Sequence, residues 1–108
     1  MSKWNENRSY GIELEVATSR TRDELAEAIQ REFISRGIRA AGGEIQQCHV
    51  EAAHQDGPYW RVVRDTSISQ GWEVVSPPLR GVNGRKEISA VVDALKRAGC
   101  DVNKDCGF

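Results

Sequence analysis

Two hydrophobic periods run through this chain. From Tyr10 to Val16 the pattern alternates, with Ile12, Leu14 and Val16 on one side of an extended segment and Glu13 and Glu15 on the other. Thr21-Arg22-Asp23-Glu24 is a capping-box sequence. Leu25, Ile29 and Phe33 follow at four-residue spacing with Ala28 beside them, Glu27 and Arg31 pair at i,i+4, and Gly37 supplies a C-terminal stop. These signals predict a helix over residues 22–36. A short strand is expected within 44–50, and Asp56-Gly57-Pro58 reads as a turn.

Tyr59 to Ile68 and Trp72 to Ser76 read as a hairpin around Ser69-Gln70-Gly71, closed by Pro77-Pro78. A three-residue loop would set Ile68 opposite Trp72, Ser67 opposite Glu73 and Asp65 opposite Val75. A second helix is expected from Arg85 to Ala98, with Ile88, Val91, Val92 and Leu95 inward, Lys96 and Arg97 in the last turn, and Gly99 as the stop. Cys100 to Phe108 opens a further strand. The sum is one α+β domain over residues 1–108, an antiparallel β-sheet with two helices packed on one face. Trp60 and Trp72 belong to its core, while Trp4 lies in a polar tail.

Length and composition narrow the function classes. A chain of 108 residues buries about 65% of its unfolded surface around a single core. A net charge of −1 gives no drive toward nucleic acid or an anionic membrane. There is no apolar run of membrane-spanning length and no signal-peptide core, and three cysteines fit a reducing compartment better than a disulfide framework. The expected location is the cytoplasm. Phosphate-loop and dinucleotide glycine motifs are missing from the sequence. Cys48-His49, His54, Cys100 and Cys106 carry zinc-ligating atoms, but their spacings match no closed tetrahedral site.

The carboxylates are the candidate chemistry. Glu13 and Glu15 stand roughly 7 Å apart on one strand face, and like charges there need water, a basic partner or a hard cation. In the expected hairpin, Asp65, Ser67 and Glu73 share a face, with Asp65 and Glu73 diagonal neighbours. Four converging carboxylates would suit Mg²⁺ or Mn²⁺. The plainer reading makes Glu13 and Glu15 the solvated face of an edge strand, and Asp65 a turn residue bonded to backbone.

Tyr10-Gly11-Ile12-Glu13-Leu14-Glu15, then Trp60 to Ile68, then Glu73-Val74-Val75-Ser76-Pro77-Pro78-Leu79, and finally Cys106-Gly107-Phe108 resemble, in order and spacing, the putative amidoligase family, which is similar to carboxylate–amine ligases of the glutamine synthetase and glutamate–cysteine ligase group. The resemblance implies the N-terminal half of a sheet-based ligase fold that binds Mg²⁺ and ATP, activates a carboxylate by phosphoryl transfer and joins it to an amine. It implies metal-binding roles for Glu13, Glu15, Asp65 and Glu73, and an edge-shaping role for Ser76-Pro77-Pro78. The family's Cys-Gly-Phe-like block typically runs into a His-x-His segment, whereas this sequence stops at Phe108. The expectation is an N-terminal lobe that does not catalyse amide formation alone, with a protein partner or a homodimer meeting an open sheet edge. The alternative from another class is a small phage-type binding protein that inhibits a bacterial enzyme or defence complex.

Overall fold

A computed structural model describes residues 9–39, 48–50, 59–64 and 71–107, the strand positions 49–50 and 104–107 through their backbone only. The elements are β1 (Gly11–Ala17), α1 (Arg22–Arg36), β2 (Cys48–Val50), β3 (Trp60–Arg64), β4 (Gly71–Val75), α2 (Gly81–Arg97) and β5 (Asp101–Gly107). They form an α+β fold with one five-stranded sheet in the order β2-β3-β4-β1-β5. Four strands pair antiparallel, and β2 joins β3 in parallel.

Both helices cover the same face of the sheet. Ile12, Leu14 and Val16 from β1, Trp60 and Val62 from β3 and Val74 from β4 meet Leu25, Ile29 and Phe33 of α1 and Val91 and Leu95 of α2. Most of these side chains have no exposed surface. Each such burial is worth about 1.5–3 kcal/mol, so the apolar stripe, more than helix propensity, holds the helices in place. The Trp60 indole is fully buried, and its N–H donates to Glu87 Oε1 at 3.1 Å. Trp72, expected inside, is half-buried at the rim. Its N–H donates to Arg20 O at 2.8 Å, and the Arg22 guanidinium sits 5.5 Å from the ring centre.

α1 begins and ends where its sequence predicts. Thr21 accepts from the Glu24 N–H, the Glu24 carboxylate accepts from the Thr21 N–H, and Gly37 takes the left-handed conformation at φ 66°. These backbone bonds, and then the Thr21 hydroxyl, hold the Glu24 carboxyl below its usual value. Glu32, nearly buried, accepts from Arg36 at 2.7 Å and from Arg97 at 2.5 Å, and Arg36 also reaches Asp93 at 2.6 Å. That network joins α1 to α2 across the top of the core.

α2 starts four residues earlier than expected. Gly84 lies inside the helix, at a position where only hydrogen fits. A Cβ at Gly84 would stand 2.5 Å from Tyr10 Oη and 2.9 Å from Leu79 Cβ. Tyr10 and Leu79 exchange backbone bonds of 2.9 and 2.8 Å, and the Tyr10 hydroxyl donates to Gly81 O at 3.4 Å.

The hairpin register also differs. Arg61 pairs with Val75, Val62 with Val74, Val63 with Glu73 and Arg64 with Trp72, so Val63, not Ser67, stands opposite Glu73, and Arg61, not Asp65, opposite Val75. The shift is four residues. It sets fully buried Val62 against fully buried Val74, whereas the tight-loop register would have placed Thr66 opposite Val74. Because the shift is even, each residue keeps its face. Asp65, Ser67, the loop at 69–70, the turn at 56–58, Trp4 and His54 lie outside the described residues.

Candidate functional site

The face turned away from the helices collects the charge. Register places Val63, Glu73, Glu15 and Asn103 in one row across β3, β4, β1 and β5, and Arg61, Val75, Glu13 and Asp105 in the next. Three of the four carboxylates expected from sequence, Glu13, Glu15 and Glu73, therefore share one face. The fourth, Asp65, falls outside the described residues.

The Glu15–Glu73 pair is the close kind. Ser76 N–H donates to Ile12 O at 3.0 Å, which makes the 12–76 position a hydrogen-bonded pair. Alternation then makes 13–75 and 15–73 non-hydrogen-bonded pairs, whose Cα atoms approach to about 4.5 Å with Cβ atoms only slightly farther apart. Two carboxylates at that separation repel, and nothing in strand propensity favours them. β1 lies between β4 and β5, so the reading of Glu13 and Glu15 as an edge strand's solvated face is corrected: β1 is an inner strand of the described sheet.

Ser76 is part of the frame. Its hydroxyl accepts from the Ile12 N–H at 2.9 Å while its own N–H bonds to Ile12 O. Pro77 and Pro78 follow, and Leu79 is bridged to Tyr10. The segment thus pins β4 to β1 at two points and fixes Glu73 beside Glu15.

Arg61 is the residue that sequence reasoning passed over. Its side chain is only 5% exposed, and its Nε and Nη1 are buried with no hydrogen-bond partner. It lies on the acidic face, diagonal to Glu73 at about 7–8 Å between Cα atoms. The signal was present as an alternation: Arg61 and Val63 on one face, Trp60, Val62 and Arg64 on the other.

The sulfur-based alternatives lose ground. Cys48 is buried beside Trp60, and desolvation pushes its thiol up to about 12, so it is neither a ready nucleophile nor a ready thiolate ligand. Among the described residues no group of three or more His, Cys, Asp or Glu side chains is placed to hold a metal ion, and no described helix is long and apolar enough to cross a membrane.

A family model described as "putative amidoligase enzyme" matches residues 6–108. No curated protein and no solved structure matches the chain.

Proposed function

Since the chain belongs to the putative amidoligase enzyme family, we propose that its acidic sheet face is the metal–nucleotide face of an ATP-dependent carboxylate–amine ligase. The observation that carries the reading is the close pairing of Glu15 with Glu73, with Glu13 on the same face. Carboxylates opposite each other on an inner strand are an arrangement that a divalent cation can bridge.

The donor set fits Mg²⁺ or Mn²⁺. It is all oxygen, and Mg²⁺ is commonly held by one or two carboxylates, with water and phosphate oxygens completing its octahedron. A closed cluster of three protein ligands is therefore not required. Glu15 and Glu73 would hold the ion, with Glu13 and Asp65 extending the site. The bound metal would supply charge screening for nucleotide phosphates. The sheet's contribution is to hold the carboxylates on hydrogen-bonded strands so that little reorganisation is needed when a ligand arrives.

Calorimetric titration with Mn²⁺ and a non-hydrolysable ATP analogue tests this, with Glu13→Gln/Glu15→Gln as control. Saturable binding in the wild type that the double variant loses supports the proposal. Equal behaviour of the two proteins, or no heat at millimolar ligand, refutes it.

A further inference from the structure

We infer that Arg61 forms an oxyanion subsite beside the carboxylate row, taking a carboxylate or phosphate group of a ligand. A guanidinium is always charged, and burying it without partners costs several kcal/mol unless an opposite charge or hydrogen-bond acceptors compensate. Arg61 is 5% exposed, and two of its three guanidinium nitrogens are buried and unsatisfied. Among the described residues no carboxylate lies within ion-pair distance of it.

Its neighbours make the arrangement informative. Several other arginines already have acceptors: Arg20 with Glu24 and Ala98 O, Arg31 with Glu27, Arg36 with Glu32 and Asp93, Arg97 with Glu32. Arg61 differs from them in being deeply buried with its Nε and Nη1 donors unused. It sits two strands from Glu13 and diagonal to Glu73. The face therefore offers acceptors for a cation in one zone and donors for an anion in the next, and a planar guanidinium suits the oxygens of carboxylate and phosphate alike. A ligand carrying an oxyanion bound to a divalent cation would satisfy both zones. The assignment of the anion to a ligase substrate or nucleotide rests on the family reading above, but the subsite itself rests on Arg61 alone.

The test uses the whole chain, with inorganic phosphate and succinate as separate probes, each with and without Mn²⁺. The Arg61 Nε–H resonance is followed by NMR, and affinity by calorimetry. The expected result is a saturable shift of that resonance with at least one probe. Arg61→Met should weaken that probe's binding by about tenfold or more, while Mn²⁺ binding in the absence of anion stays unchanged. Phosphate alone acting points to a nucleotide source, and succinate alone to an acid substrate.

Arg61→Lys covers the case in which the methionine variant fails to fold. It keeps the charge but not the planar donors, and should bind the probe measurably less tightly than wild type. A resonance unmoved by both probes, or affinity unchanged in the folded variants, overturns the inference. Failure of the Glu13→Gln/Glu15→Gln experiment, with the Arg61 response intact, would remove the metal–nucleotide reading and leave the subsite standing.

Discussion

Replacing Glu15 by Gln isolates the repulsion on which the functional reading depends. The Glu15–Glu73 register in a non-hydrogen-bonded pair puts their Cβ atoms about 5 Å apart, and two unit charges at that separation interact by about 0.8 kcal/mol in water and about 3 kcal/mol at an effective dielectric constant of 20. Both residues are half-buried, which favours a value near 1 kcal/mol. Gln keeps the side chain's shape and removes the charge. Without metal, Glu15→Gln should therefore be more stable than wild type by about 0.5–1 kcal/mol, a rise in Tm of about 4 °C for a domain of this size. With Mg²⁺ at a hundred times its Kd, wild type should gain about 2.7 kcal/mol through binding linkage, whereas the variant gains less. The order of stability then inverts. Thermal melts followed by circular dichroism, with EDTA and with Mg²⁺, read both halves of the prediction. A variant less stable than wild type in EDTA, with no change of order in Mg²⁺, would refute the reasoning.

Gly84→Ala should destabilise by about 1–3 kcal/mol, the overpacking against Tyr10 and Leu79 outweighing the roughly 1 kcal/mol gained in helix propensity; Tyr10→Phe in the same chain should restore part of the loss, read by urea denaturation. Thr21→Ala removes the capping box and should lower stability by about 1 kcal/mol in the same assay. The hydrogen bond from Arg36, followed by smaller contributions from nearby cations, holds Asp93 below its ordinary value of 3.8. A depressed carboxyl contributes stability that is fully present above that value and lost as pH falls through the folded one. Asp93→Asn should therefore flatten the stability–pH curve in that acid window, and an unchanged slope in pH-dependent melts would refute it.

How far the sequence reached follows from where the physics is local. α1 was legible to the residue because its cap, its stripe and its Gly37 stop all lie within the helix. α2 was legible only from Arg85 onward, because what permits Gly84 in a helix is Tyr10, brought there by the Tyr10–Leu79 bridge. The hairpin register followed the nearest turn signal, but burial of Val62 against Val74 decided it. The even shift explains why Glu73 was still assigned the correct face. The parallel placement of β2 beside β3 left no trace in three residues of sequence. Arg61 escaped because a charge in an apolar strand looks like an exposed position, and its burial is a property of the folded sheet. The pairing of Glu15 with Glu73 needed a contact between distant segments that alternation alone cannot supply.

The two backbone anchors on either side of Pro77-Pro78, Ser76 to Ile12 and Leu79 to Tyr10, also limit how this protein can change in length. One residue inserted between Glu73 and Ser76 would turn Glu73 to the apolar face or tear Ser76 from its partner, because side chains on a strand reverse at every step. Evolution of this stretch is thus confined to substitution, while insertions and deletions must be absorbed elsewhere along the chain. A library of single-residue insertions scored for folding should show residues 73–79 as an intolerant block, marking the acidic face by its refusal to take extra chain.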